Sequence, residues 1–363
     1  MIPKELKLVM EDIMKELKIG NKVARIPIIQ GGMGVGVSLS RLAGAVAKEG
    51  AVGIISTAQI GFDEPDFDTN QLEANERAIE KHVRNAKEQS NGGLVGVNIM
   101  VALKHYAQHV KAAVRAKADV IISGAGLPVN LPKLVEGSDT KIAPIVSSAK
   151  AANIILKLWE RNDKRTADFL VIEGPKAGGH LGFHLDQLED VEHMDYDTEI
   201  RKIIDVIHTF EEKFKTNIPI VLAGGIFSKE DVRHALDLGV DGVQVGTRFV
   251  GTKECDAHDN YKNAYIAAKE EDIEIIKSPV GMPGRAIRNK FLDAIKTDKL
   301  PIPKCYLCLA KCNPKEIPYC ITDELIKAVK GDVENGLIFC GTNASKVTKI
   351  ETVHEVIADL CQA

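Results

Sequence analysis

Residues 218–225 read IPIVLAGG and residues 242–247 read GVQVGT. Each is a short, almost wholly apolar run that ends in small residues. Between them lies one helix-like stretch, residues 229–238 (KEDVRHALDL), with Val232, Ala235 and Leu236 along one side. A strand that is apolar on both faces belongs to a parallel sheet covered on both sides, because a sheet with one wet face would alternate. Working outward, the same kind of run recurs at 26–32 (IPIIQGG), 51–57 (AVGIIST), 94–100 (LVGVNIM), 120–126 (VIISGAG), 142–147 (IAPIVS) and 168–174 (DFLVIEG). Helical patterns separate them, as at 40–49 (SRLAGAVAKE), where Leu42, Ala45 and Val46 share a side. Eight β/α units predict an α/β fold of the TIM-type (β/α)8 barrel class. An open doubly wound sheet would need fewer strands and a phosphate turn after the first.

The rest of the chain frames that barrel. Of 363 residues, 45% are hydrophobic and 27% charged, with a net charge of -4. This is ample material for a core, and it gives no support to a nucleic-acid binder or a polybasic membrane protein. No apolar run approaches the roughly 20 residues of a membrane span. The first residues carry acids and no signal-like apolar region, so seven cysteines point to a cytoplasmic protein with thiols reduced or metal-bound. The oligomeric state is left open, a homodimer included. Leu6, Val9, Met10, Ile13, Met14 and Leu17 recur at helical spacing and predict an amphipathic helix over residues 1–18, packed on the core. The chain divides into residues 1–290, the barrel with its N-terminal helix, and residues 291–363, a Cys-containing extension that turns helical near 323–330 and 352–360. Two connections are long, 58–93 after the second strand and 175–217 after the sixth. Segments that follow barrel strands lie on the catalytic face, so both are pocket or lid candidates, although 73–89 reads as a solvated helix.

The strand ends carry the chemistry. Loops after the seventh and eighth barrel strands commonly bind phosphate beside a helix N-terminus. Here they hold Gly224 and Gly225, then Gly246 and Thr247, where backbone N–H groups and a hydroxyl can meet an anion and Arg248 would add charge. Ser228, with Asp231 three residues on, fits an N-cap. The first strand ends in Gln30, Gly31, Gly32, Met33, Gly34, Val35 and Gly36. A dinucleotide fingerprint would require glycine at 39, which is Leu39, so this stretch suits a backbone shelf under a flat ring. Asn98, at the end of the third strand, offers an amide to a heterocycle edge. His180 lies among glycines in AGGHLG (177–182), at the end of the sixth strand, and is the candidate base or substrate contact. His184, four residues on, mimics a helical metal pair, but Gly182 between them argues against a helix. Cys305, Cys308, Cys312 and Cys320 have ligand-like spacing for a [4Fe–4S] cluster or zinc, the cluster slightly ahead. Cys255, Cys340 and Cys361 read as small buried residues.

These motifs resemble a known family. From about residue 26 to 291 the chain is similar to the FMN-dependent nitronate monooxygenases, formerly 2-nitropropane dioxygenases, and to the FMN-dependent enoyl-ACP reductases that share their barrel. The likeness rests on IQGGMG (29–34), VNIM (97–100), GAG (124–126), AGGHLG (177–182), AGGI (223–226), QVGTRF (244–249) and Glu254 to His258 followed by Asn260, Tyr261 and Lys262. The resemblance implies FMN, its phosphate at Gly224, Gly225, Gly246 and Thr247, and its ring over Gly31, Gly32 and Met33. Asn98, Glu173, Gly178, Gly179 and Gln244 would complete the shell, with Gln30 and Val245 counted among the cofactor residues. It makes His180 the base or the residue that orients a small-molecule substrate. Monooxygenase members oxidise a nitronate to a carbonyl compound and nitrite with O2; reductase members take hydride from NAD(P)H and pass it to an enoyl thioester. The four-Cys tail is needed for neither chemistry. It hints at electron transfer, and so at a reductase working with little oxygen.

Overall fold

The computed structural model describes residues 14–362. A short hairpin opens it, β1 (Leu17–Ile19) and β2 (Lys22–Ala24), followed by β3 (Ile28–Gln30), β4 (Val52–Ser56), β5 (Leu94–Met100), β6 (Val120–Gly124), β7 (Lys141–Val146) and β8 (Leu170–Glu173). Next come β9 (Gly179–His180), β10 (Ile220–Ala223), β11 (Gly242–Val245), β12 (Ile273–Lys277) and β13 (Pro283–Ile287). The helices are α1 (Ser40–Glu49), α2 (Gln71–Gln89), α3 (Tyr106–Arg115), α4 (Leu131–Leu134), α5 (Ala149–Asp163) and α6 (Tyr196–Phe214). They continue with α7 (Lys229–Asp237), α8 (Thr247–Val250), α9 (Asp259–Ala267), α10 (Lys290–Thr297), α11 (Ile321–Val329) and α12 (Val353–Leu360).

Eight parallel strands close into a barrel in the order β3-β4-β5-β6-β7-β8-β10-β11, with β11 returning to β3. The eight apolar runs are these strands, and the TIM-type fold is the observed one. Strand side chains alternate between two apolar environments, which is why the runs are apolar throughout. Ile29, Val52, Ile54, Val120, Ile122, Ala143, Val171 and Val221 fill the interior, whereas Ile28, Ile55, Ile121, Ile142, Leu170, Ile172 and Val243 face the helices. A Cβ on Gly96 would lie 2.2 Å from a Val120 methyl, so β5 needs glycine where β6 fills the interior.

The N-terminal segment departs from its helical pattern. Residues 1–13 of that expected helix lie outside the described residues, but Leu17 is in β1, not in a helix. Leu17, Ile19 and Ala24 pack with the barrel-interior residues, so the hairpin plugs the interior. Helical spacing and a hairpin's alternation cannot be told apart over so few residues. Among the described residues no helix is long and apolar enough to cross a membrane.

The extension folds back on the barrel. Val250, Cys255, Tyr261 and Tyr265 share a core with Ala328, Val329, Ile338, Cys340 and Val347. Arg248, expected to add charge at the anion turn, instead points into this seam. Its guanidinium donates to Glu351 (3.1 Å), Asp359 (2.8 Å) and the Phe227 carbonyl (3.0 Å). Two acids more than 100 residues away, both beyond the barrel, decide its direction. Outside the barrel, β12, β13 and β9 form a small antiparallel sheet that holds His180 opposite Gly284.

Candidate active site

The C-terminal ends of all eight barrel strands open into one cavity of about 250 Å³. β3 gives Gly31 to Gly34, β4 Ser56, β5 Asn98 and Met100, β6 Gly124, and β7 Ile145. β8 gives Glu173 and, in the loop beyond it, Lys176 to His180. β10 leads to Gly224 and Gly225, and β11 gives Gln244 and leads to Gly246 and Thr247. Thirteen residues expected from sequence meet here: Gly31, Gly32, Met33, Asn98, Glu173, Gly178, Gly179, His180, Gly224, Gly225, Gln244, Gly246 and Thr247. Gln30 and Val245 do not line it. Ile29 and Gln244 face inward, so the alternation turns Gln30 and Val245 outward. Gln30 instead exchanges hydrogen bonds with the backbone of Ile54, at 3.1 Å each way, and stitches β3 to β4.

At one end, the turns after β10 and β11 leave the cavity wall bare of side chains. Gly224 and Gly225 have φ of 95° and 87°, a conformation that L side chains rarely adopt. A Cβ on Gly224 would meet the Gly174 carbonyl oxygen at 2.9 Å, and one on Gly225 would meet the Lys176 stem at 3.1 Å. Lys176 brings a cation to this end, where its ammonium pairs with Glu192 at 2.8 Å. The expected cap is present: Ser228 Oγ accepts from Asp231 N–H, and the Asp231 carboxylate accepts from the Ser228 N–H. That helix start is therefore occupied by a protein carboxylate, which leaves the glycine turns to receive a ligand.

In the same lining His180 Nε2 lies 2.7 Å from Ser278 Oγ, and the imidazole meets the Phe339 ring edge-on, centroids 4.9 Å apart. Burial lowers its pKa from 6.5 to about 4, so the ring is neutral at pH 7. Nδ1 makes no protein hydrogen bond among the described residues. Burial acts oppositely on the Glu173 carboxyl and raises it to about 7, against a hydrogen bond from the Gly182 N–H. Tyr196 donates to the carbonyls of Ser147 (3.0 Å) and Glu173 (3.1 Å) and so ties β7 to β8 beneath them. Gln244 Oε1 is buried with no partner among the described residues. Arg285 donates to the carbonyls of Pro175 (3.0 Å) and Ala177 and pins the histidine loop to β13.

Sequence reasoning gave no role to Ser278, Met282, Tyr265, Phe339, Gly341 or Asn343. All but Ser278 line the cavity, and Ser278 touches His180. The tail loop reaches the glycine turn after β10, where Asn343 donates to the Gly225 carbonyl at 2.7 Å. The usable signal was the alternating pair IEIIK and PGRAI around a Gly- and Pro-containing turn, which marks β12–β13. Cys305, Cys308, Cys312 and Cys320 lie elsewhere, around a second cavity. Among the described residues no three His, Cys, Asp or Glu side chains are gathered closely enough to hold a metal ion.

A barrel with this mouth has known counterparts. The family model described as nitronate monooxygenase matches residues 15–363. The chain belongs to the nitronate monooxygenase family. Membership makes it an oxidoreductase. A curated relative, described as a probable nitronate monooxygenase from Staphylococcus aureus (strain Newman), is 27% identical over 297 residues, 76% of this chain and 79% of the relative. Among solved structures, FabK from Thermotoga maritima is similar with a TM-score of 0.68 and 25% identity, over 99% of this chain and 95% of that one. A nitroalkane oxidase from Streptomyces ansochromogenes shares the fold with a TM-score of 0.68 at 19% identity, over 93% of this chain and 96% of that one.

Proposed function

We propose that this family member is an FMN-dependent nitronate monooxygenase that converts an alkyl nitronate to a carbonyl compound and nitrite. The observation that carries the reading is a single cavity whose wall holds both the bare glycine turns after β10 and β11 and a neutral imidazole. The residues fit the cofactor. Gly224, Gly225, Gly246 and Thr247 would hold its phosphate, with Lys176 adding charge. The shelf Gly31, Gly32 and Met33 would carry the ring, and the unpartnered Gln244 Oε1 offers an acceptor to an N–H of that ring. When bound, FMN supplies the electron acceptor for the nitronate.

The chain's own groups do the rest. His180 is neutral and held at Nε2 by Ser278, so Nδ1 is left to meet the substrate. In one tautomer Nδ1 takes a proton from a neutral nitroalkane; in the other it donates to a nitronate oxygen. Phe339 packs edge-on against it, and Met282 lines the same cavity. The test is anaerobic mixing of the purified protein with propionate 3-nitronate. The expected result is a yellow protein whose flavin bands bleach; yellow protein that stays oxidised would remove the reading.

A second reading, an NAD(P)H-dependent reductase of an enoyl thioester, is favoured by the likeness to FabK across nearly the whole chain. Rapid anaerobic bleaching by NADH or NADPH supports it, and inertness to both defeats it.

A further inference from the structure

The segment 302–321 folds around a cavity of about 140 Å³ lined by Cys305, Cys308, Cys312 and Cys320. All four thiols are free of disulfides. No carboxylate or imidazole joins them; the other walls are apolar side chains, Tyr306 and Lys104. An all-thiolate donor set in apolar surroundings selects a soft, thiophilic centre over a hard cation.

The backbone is already arranged for such a centre. Leu307 adopts φ 49°, a left-handed conformation costly for a branched side chain, and its N–H points to Cys305 Sγ at 3.5 Å. That makes the Cys305–Cys308 turn a knuckle with an N–H aimed at sulfur, the type of contact that tunes cluster thiolates. The knuckle is docked on the barrel: Lys104 N–H donates to the Cys308 carbonyl and Ala310 N–H to the Ala102 carbonyl, each at 3.0 Å. Phe67 stacks on Tyr306 at 5.8 Å. Cys320 sits directly before α11, a helix that begins at this cavity with Ile321 and reaches the active-site cavity one turn later with Leu325.

The space the cysteines enclose decides which centre fits. A zinc ion with Zn–S near 2.3 Å draws its four sulfurs to about 3.8 Å from one another. The four thiols here line a cavity of about 140 Å³. A cubane carries each thiolate on a separate iron corner, so its sulfurs stand farther apart around a volume of their own. We propose that Cys305, Cys308, Cys312 and Cys320 bind a [4Fe–4S] cluster in this second cavity, one turn of α11 from the active-site wall. The proposal does not depend on which substrate the main cavity takes.

The test uses the full chain, purified without oxygen from iron-replete cells. The expected result is about four iron and four acid-labile sulfides per chain, both falling to background in a Cys308→Ser/Cys320→Ser double variant. Gel filtration and far-ultraviolet circular dichroism check that the variant is folded. Should the variant not fold, the wild-type chain is stripped with a chelator and reconstituted with ferrous iron and sulfide under dithiothreitol. Return of four iron and of broad visible absorption supports the site. Folded wild-type protein that retains no iron and takes none up on reconstitution overturns it, and so does one zinc per chain.

Discussion

The two cavities of this protein are built in opposite ways. The active-site cavity is walled mainly by the ends of eight paired strands, so barrel geometry places most of its lining, with the tail and the β12–β13 hairpin adding the rest. The second cavity is walled by a loop with no regular element between α10 and α11, held to the barrel by a few backbone hydrogen bonds and one stacked ring pair. Their polar groups differ accordingly. The first cavity gathers a neutral His180, a Glu173 carboxyl raised to about 7 and the Gln244 acceptor, which has no partner among the described residues. The loop holds four thiols with little else polar around them. A site on rigid elements can be organised before its ligand arrives, whereas a site on a loop is completed by what it binds.

The sharpest way to break this contrast is at His180. His180→Asn removes the titrating group and keeps an amide. Under the proposed function, kcat/KM for propionate 3-nitronate falls by roughly 10²–10⁴, the range for a positioned acid or base. Flavin content and thermal midpoint should stay near those of the parent. Unchanged turnover would place the chemistry elsewhere in the cavity.

Acid should act next most strongly, and on the barrel. Burial, chiefly, lowers His82, His109 and His180 from 6.5 to about 4. As pH falls from 6.5 toward 4 the unfolded chain binds protons that the fold resists, so stability present above 6.5 is lost across that window. A tenfold difference in proton affinity between the folded and unfolded chain corresponds to about 1.4 kcal/mol, and the three imidazoles together contribute on the order of a few kcal/mol. Glu173 works with the opposite sign. Its raised value gives stability that is present below 4.5 and lost as pH rises through about 7. The three histidines outweigh it, so urea melts should show a less stable protein at pH 4.5 than at pH 7. Equal midpoints would mean that these imidazoles are not shielded.

How legible this was in the sequence follows the same division. The barrel was readable because period-two alternation inside a doubly covered sheet leaves nearly continuous apolar runs, and the mouth because glycine and polar residues end those runs. Gln30 and Val245 stand one residue from Ile29 and Gln244 and do not line the cavity, and in a strand one residue is the difference between the cavity and the helix layer. Arg248 was read with its local turn, yet its partners Glu351 and Asp359 come from beyond the barrel. Ser278 and Phe339 reach His180 from the β12–β13 hairpin and the tail, contacts that no local pattern encodes. Leu17 fitted a helical stripe but plugs the barrel as a strand residue.

A smaller effect compares a glycine held in the barrel mouth with one in the exposed β12–β13 turn. Gly224→Ala meets both a φ of 95° and a backbone oxygen 2.9 Å from the new Cβ, whereas Gly281→Ala meets a φ of 86° with open space around it. Both incur backbone strain of about 1–3 kcal/mol, and only the first adds a clash with backbone that the barrel holds rigid. Thermal melts should rank Gly224→Ala as the less stable, and flavin affinity should fall in that variant alone. Equal losses would show that the anion turn yields as easily as an exposed hairpin.

The smallest expected change lies at Ser278, and it asks how far the barrel site depends on any one support. The hydroxyl meets His180 Nε2 at 2.7 Å, but the ring is also set by Phe339 and by the pairing of β9 with β13. Ser278→Ala removes one hydrogen bond with a net worth of about 1 kcal/mol and leaves the other supports in place. Turnover should therefore fall about fivefold, well short of the loss at His180→Asn. The pH-rate profile should move along its acid limb, because Nε2 loses the partner that helps choose the tautomer. Ser278→Thr keeps a hydroxyl and should restore most of the rate if its methyl is accommodated. A loss as large as that of His180→Asn, not rescued by threonine, would make Ser278 a participant in the reaction, and the contrast between a site spread over many rigid supports and one completed by its ligand would narrow.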